Sequence, residues 1–101
     1  MKRKKEPLLQ LKGLLALRIL HELKKRALCG EDLATILGKK KGGKLTPGTI
    51  YPTLKLLRRK KLMKRNKKGR KKVYSLTPLG KKEYRQLKTS FSHVFKGLLR
   101  R

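Results

Sequence analysis

The apolar residues of the chain follow helical spacing over most of its length, with short polar breaks between the stretches. Ten of the sixteen residues at positions 8–23 are apolar, and the polar ones do not alternate with them. This density is typical of a helix that is buried on more than one side. We expect it to end near Arg26, and a shorter helix to run from Gly30 to Gly38 with an apolar face of Leu33, Ile36 and Leu37.

A third helix is predicted to begin at Thr46-Pro47, because a hydroxyl residue followed by proline is a strong signal for a helix start. It should continue to about Lys60. Pro52 conflicts with this helix, since its ring crowds the carbonyl four residues earlier. We expect a loosened first turn there, eased by Gly48. The buried face of the helix is formed by Ile50, Leu54 and Leu57.

The spacing of the apolar residues changes from helical in residues 61–76, where two short predicted strands flank a polar, glycine-containing turn at 67–70. This pattern predicts a β-hairpin. Thr77-Pro78 then repeats the helix-start signal. The last helix carries an apolar stripe with heptad spacing, which is suited to burial against a partner. The stripe consists of Tyr84, Leu87, Phe91, Val94 and Leu98, supplemented by Phe95 and Leu99.

The order of these elements is helix, helix, helix, hairpin, helix. It predicts a mostly α fold with an α+β wing: a winged helix-turn-helix with an extra C-terminal dimerisation helix. We expect a basic flexible arm at residues 1–7, the DNA-binding domain at 8–76 and the dimerisation helix at 77–101.

The charge of the chain points to a polyanionic partner. The 101 residues include 32 Lys and Arg against 5 Asp and Glu, a formal net charge of +27. Twelve of the eighteen residues at 55–72 are basic, and no acid lies between Asp32 and Glu83. A lysine-rich solvated face is the plainer interpretation, but thermophilic surfaces of that kind balance Lys with Glu. Here the basic block covers the third helix and the hairpin, the two elements with which a winged helix reaches double-stranded DNA.

The candidate DNA contacts lie on these two elements and just before them. Thr49, Lys55 and Arg59 are the candidates for reading base edges, because they project away from the apolar face of the third helix. Tyr51 either contacts a phosphate or braces the base of the wing. The full candidate set is Lys44, Thr46, Thr49, Tyr51, Thr53, Lys55, Arg58, Arg59, Lys64, Arg65, Lys67, Lys68, Arg70, Lys71 and Lys72.

Other classes of protein receive little support. The single Cys29 excludes an internal disulfide framework, and no run of about 18 apolar residues could span a membrane. His21, Cys29 and His93 are not spaced as metal ligands, and no nucleophile-base-acid set can be assembled. We therefore expect no metal, no cofactor and no enzymatic activity, in a cytoplasmic, nucleoid-associated protein. Tyr84, Phe91 and Phe95 either form ordinary core or line an effector cavity; any effector is unknown.

Two segments resemble the PadR family of transcriptional regulators: Leu45 to Leu57, with its Pro-Gly-Thr-Ile-Tyr-Pro sequence, and Gly69 to Gly80. The resemblance implies a homodimer that binds DNA through the third helix and wing. Lys60-Lys61 stands where the family usually has Glu-Gly. The resemblance also implies that the last helix packs against the partner's first helix. The expected dimer residues are Leu11, Leu15, Tyr84, Leu87, Phe91, Val94, Phe95 and Leu98.

The sequence thus predicts a dimeric, sequence-specific DNA-binding transcriptional regulator, most simply a repressor. One alternative is an architectural or genome-coating protein with little sequence preference. The two differ in the ratio of affinity for a specific site to affinity for random DNA. Another is a basic membrane-surface protein, but the densest charge lies on the hairpin rather than on an amphipathic helix.

Overall fold

The structure is a computed structural model that describes residues 7–39, 43 and 45–99, with side chains from residue 13 to residue 98 of these ranges. Its elements are α1 (Pro7–Lys25), β1 (Leu28–Cys29), α2 (Gly30–Gly38), α3 (Pro47–Arg59), β2 (Met63–Lys68), β3 (Lys71–Leu76) and α4 (Pro78–Leu99). This is the predicted winged helix-turn-helix followed by a further helix. The predicted arm lies outside the described residues, except for Pro7, which begins α1.

The strand β1 is an element that the sequence pattern did not predict. Leu28 pairs with Tyr74 and Cys29 with Val73, so that the antiparallel sheet has the order β1-β3-β2. Two residues are too few to show an alternating pattern. The pairing attaches the base of the hairpin to the segment between α1 and α2.

Helix α1 is the centre of the molecule, because it packs against α2, α3, α4 and β3. Its buried residues Ile19 and Leu20 meet the apolar face predicted for α3. That face is confirmed: Ile50, Leu54 and Leu57 are at most 2% exposed. Burying side chains of this size contributes about 1.5–3 kcal/mol each before ordering costs, so this contact fixes the orientation of α3.

The start of α3 differs from the prediction in its capping. Thr46 is the N-cap residue with an extended backbone, but its hydroxyl makes no capping hydrogen bond to the backbone. Instead its carbonyl accepts hydrogen bonds from the N–H groups of Thr49, at 2.9 Å, and Ile50, at 3.1 Å. The first turn therefore contains one tight bond between residues three apart. The helix passes through Pro52 without a break.

The end of α3 adopts a Schellman motif. The N–H of Leu62 donates to the carbonyl of Leu57, and the N–H of Lys61 donates to the carbonyl of Arg58, both at 3.0 Å. Lys61 has a φ of 63°. This left-handed conformation is the one that glycine usually supplies, and an L-residue costs about 1–2 kcal/mol there.

The beginning of α4 is fastened to this same turn. The Thr77 hydroxyl donates to the Lys61 carbonyl at 2.7 Å and accepts from the Gly80 N–H at 2.9 Å. The Thr77 N–H donates to the Leu62 carbonyl at 3.2 Å. A Cβ on Gly80 would overlap that same carbonyl oxygen, so only glycine allows the helix to approach so closely. We name this contact the α3–α4 junction: Lys61, Leu62, Thr77 and Gly80.

We predict opposite effects of the same substitution at two glycines of α4. Gly80→Ala forces α4 away from the Leu62 carbonyl and should lower the free energy of unfolding by at least about 2 kcal/mol, like other forced overlaps in packed sites. A methyl group at Gly97 would lie in open space, so Gly97→Ala should raise the free energy of unfolding by about 0.5–1 kcal/mol through helix propensity. Urea unfolding followed by circular dichroism measures both. Equal effects of the two substitutions would contradict the junction.

Candidate nucleic-acid interface

The outer face of α3 carries the residues that the sequence nominated for base contacts. Lys55 and Arg59 are exposed on the side opposite to the buried Ile50, and Thr49 is exposed at the flank of that side. Arg58 is half-buried at the flank of this face. The arrangement leaves a guanidinium and an ammonium group free to enter a groove, which is where such groups discriminate between base edges.

Three other candidate DNA contacts lie outside this exposed face or outside the described residues. Thr53 is 8% exposed and faces the core, so it is wrong as a DNA contact. Thr46 is exposed, with its hydroxyl oxygen 3.1 Å from that of Thr49. Lys44 lies outside the described residues. Thr53 was misassigned because a threonine is compatible with either side of a helix.

The wing is longer than the sequence suggested. The strands continue to Lys68 and resume at Lys71, so the turn is only Gly69-Arg70, with a φ of 62° at Gly69. Beyond the buried Met63, every residue of β2 is exposed. The wing therefore projects from the body and presents basic side chains on both faces: Lys64, Arg65, Lys67, Lys68, Arg70, Lys71 and Lys72.

The register of the wing places like charges directly opposite each other. Lys67 pairs with Lys72, and Lys68 with Lys71. Like charges at opposed positions destabilise a hairpin. The hairpin itself contains no acid, and Glu31 at the start of α2, which lines one cavity with Arg70, Lys71 and Lys72, can offset only part of the charge of the wing. A polyanion relieves this repulsion, so its binding and the stability of the wing are coupled.

Tyr51 lies between α2 and the base of the wing. A Cβ on Gly30 would come within 2.6 Å of its hydroxyl oxygen, which shows that the tyrosine packs directly over the start of α2. The residue is 44% exposed. A cavity of about 220 Å³ separates it from the wing, and both a phosphate contact and a bracing role fit this position. The wing residues in the cavity wall are Arg70, Lys71, Lys72 and Tyr74.

The first half of the apolar stripe on α4 is buried within its own chain. Tyr84 is 3% exposed, and its hydroxyl lies 2.6 Å from Nδ1 of His21 on α1. The Nζ atoms of Lys24 and Lys88 lie 5.5 and 5.9 Å from the centroid of the Tyr84 ring. The assignment of Tyr84 to a dimer surface is therefore wrong, because α1 of the same chain already covers it.

The remaining stripe residues pass from half-buried to exposed along the helix. Phe91 packs over Gly13, where a Cβ would lie 3.5 Å from its ring. Leu15 and Leu87 pack against the core. The exposed fractions then rise to 55% for Val94, 47% for Phe95 and 68% for Leu98. The side chain of Leu11 lies outside the described residues. For Tyr84 and Phe91 the packing favours ordinary core over an effector cavity.

Comparison with known proteins identifies the family. The profile of the transcriptional regulator PadR-like family matches residues 19–86. The chain belongs to the PadR-like family of transcriptional regulators. No curated protein sequence matches it significantly.

Solved structures agree with this assignment. A PadR-like transcriptional regulator from Bacillus cereus is 30% identical with a TM-score of 0.78, covering 87% of this chain and 90% of its own. A transcriptional regulator from Thermoplasma acidophilum is 32% identical with a TM-score of 0.74, covering 87% and 89%. A PadR family regulator from Clostridium difficile is 24% identical and shows the same fold, with a TM-score of 0.72, covering 83% and 93%.

Two further basic residues belong to the candidate interface of this PadR-like protein. Lys60 and Lys61 are exposed and lie between α3 and β2, so they join the basic face of the helix to that of the wing. The sequence carried the signal, since both fall within the basic block at 55–72.

Within the described part of the chain, no three His, Cys, Asp or Glu residues are placed to hold a metal ion. Among the helices of that part, none has both the length and the apolar composition of a membrane span.

We predict that Lys67→Gln has opposite effects on stability and on DNA affinity. At low salt it should raise the free energy of unfolding by about 0.2–0.5 kcal/mol, because Lys72 loses its repelling neighbour. It should also lower the slope of log K against log salt for DNA binding by about 0.9. Urea unfolding and fluorescence anisotropy measure the two effects.

The matched control is Lys64→Gln, since Lys64 faces the neutral Ser75. It should show the same change in salt slope without the gain in stability. Identical stabilities of the two variants at low salt would contradict the cross-strand repulsion.

Proposed function

We propose that the protein is a homodimeric, sequence-specific DNA-binding repressor of transcription that acts on the nucleoid in the cytoplasm. The observation that carries the proposal is one continuous basic surface: the outer face of α3, the Lys60-Lys61 turn and the exposed wing. Such a surface is suited to insertion of α3 into a major groove and to contact of the wing with the adjacent backbone.

Repression is the regulatory outcome that requires only occupation of the DNA. A dimer in which two copies of α3 lie about one helical turn apart, about 34 Å, covers a pseudo-palindromic site. Any protein that needs the same site is then excluded. No contact with the transcription machinery has to be added to explain this activity.

Dimerisation is supported by the exposed end of the α4 stripe. Val94, Phe95 and Leu98 form an apolar patch near the C-terminal end of α4, where the other exposed side chains are polar or basic. In a dimer with two-fold symmetry, the patch of one chain can pack against the same patch of the other chain and bury it. The association must overcome repulsion between two +27 chains. Salt screens that repulsion and also weakens phosphate contacts, so it should strengthen dimerisation and weaken DNA binding.

The readout by α3 is tested at Arg59. Arg59→Ala should relax the preference at one or two base pairs and cost about 1–3 kcal/mol of discrimination. Arg59→Lys is the control for charge: it should preserve the salt slope but lose discrimination, because lysine lacks the planar fork. Binding selection from a random-sequence library, followed by competition titrations, gives both quantities. A wild-type protein that shows no sequence preference would support the architectural alternative instead.

The dimer is tested at Leu98 rather than at Phe91, because Phe91 also packs on Gly13 within the chain. Leu98→Asp removes two buried leucines from each dimer, about 3–6 kcal/mol, and should raise the dimer dissociation constant by about 100-fold or more. Ser90→Asp adds the same charge to an exposed position outside the stripe and should leave the dimer intact. Analytical ultracentrifugation decides, and a dimeric Leu98→Asp variant would refute this interface.

A further inference from the structure

The basic residues of α4 are confined to one side of the helix. At 3.6 residues per turn, they fall within an arc of about 120°. All of them are exposed, and the one acid of α4, Glu83, lies on the opposite side of the helix. We name this set the α4 basic stripe: Lys81, Lys82, Arg85, Lys88 and Lys96.

The surface around the α4 basic stripe is shallow and rich in hydrogen-bond donors. A depression of about 430 Å³ lies along it, and no acid lines this depression. The Thr89 hydroxyl already donates to the Arg85 carbonyl at 3.1 Å, whereas Ser92 and His93 add exposed polar groups next to the charges. The lining residues are Arg85, Lys88, Thr89, Ser92, His93 and Lys96.

The α4 basic stripe differs in position from both surfaces of the proposed function. It lies on a different element from α3 and the wing, and only its first residue, Lys81, directly follows the α3–α4 junction. Helical spacing also places its centre about 135° around α4 from the apolar patch of Val94, Phe95 and Leu98. A dimer formed through that patch therefore leaves most of the stripe uncovered, while Lys88, about 20° from Phe95, lies at the edge of the patch.

We propose that the α4 basic stripe binds the phosphate backbone of a second DNA duplex, so that one dimer bridges two segments of DNA. The inference requires that α3 and the wing bind DNA, but not that they prefer a particular sequence. From Lys81 to Lys96 the helix rises about 22 Å, a length over which a duplex presents about 13 phosphate charges. The charge of the stripe complements this continuous array.

Other polyanions fit the α4 basic stripe less well. A membrane surface requires apolar anchors among the charges, whereas the exposed apolar patch of Val94, Phe95 and Leu98 is centred on another side of α4. A protein partner is usually anchored by aromatic or arginine side chains in desolvated pockets. The stripe is an open surface whose lining contains no aromatic residue except the imidazole of His93.

The experiment measures capture of a second duplex. Full-length protein is bound to an immobilised duplex long enough for one dimer, and a fluorescent duplex of the same length is then added. The stripe variant is Lys82→Gln with Arg85→Gln and Lys96→Gln. The charge-matched control is Lys25→Gln with Arg26→Gln and Lys39→Gln, three exposed positions outside both DNA surfaces.

The wild type and the charge-matched control should capture the second duplex. The stripe variant should lose capture by at least tenfold, and the salt slope of capture should fall by about 2.7. Its affinity for a single duplex should stay within threefold of the wild type. A wing variant with Lys67→Gln and Lys68→Gln should lose affinity for the first duplex. If it does not, the proposed function fails and takes this inference with it, whereas unchanged capture by the stripe variant refutes the inference alone.

Four results would overturn the inference. The wild type captures no second duplex, or the stripe variant captures as much as the wild type. The stripe variant loses affinity for the first duplex, which would make the stripe part of a single interface. The bound wild type captures fluorescent polyglutamate but not DNA, which would assign the stripe to an acidic protein.

Discussion

The contact between α4 and the Lys61-Leu62 turn is the constraint on which the arrangement of the molecule depends. Within this turn α3 ends and the wing begins, and Thr77 and Gly80 join it where the wing ends and α4 begins. One hydroxyl and one missing Cβ therefore set the angles between three elements. Because α3, the wing and α4 meet at this junction, the contact fixes how the candidate DNA surface lies relative to the exposed apolar patch on α4.

Repulsion between basic residues destabilises the free protein, and this repulsion also contributes to binding of a polyanion. The cross-strand pair of Lys67 and Lys72 raises the energy of the free wing, and the net charge of +27 penalises the compact chain. The apolar core of α1 and α3 must offset both penalties. Phosphates remove them on binding, so part of the binding free energy is relief of repulsion already present in the free protein.

Local signals explain which elements could be predicted from the sequence. These signals each depend on only a few neighbouring residues. They are the Thr-Pro pairs, the spacing of Ile50, Leu54 and Leu57, and the glycine in the wing turn. The features that were missed depend on distant partners. Strand β1 exists because β3 lies beside it, and Lys61 is left-handed because Leu62 must reach both Leu57 and α4. Thr53 likewise became core through the packing of the helices.

The apolar stripe of α4 also shows that the sequence pattern does not identify the partner of a buried face. Heptad spacing defines the face that is buried, but not whether the chain itself or a second copy buries it. Tyr84 is covered by α1, and Phe91 packs on Gly13, with its ring centroid 6.2 Å from that of the exposed Phe95. Apolar contacts through Phe91 therefore link α1 to the patch proposed for dimerisation. In such a dimer, a shift at Phe95 would reach α1 through Phe91, and α1 carries the residues against which α3 is oriented.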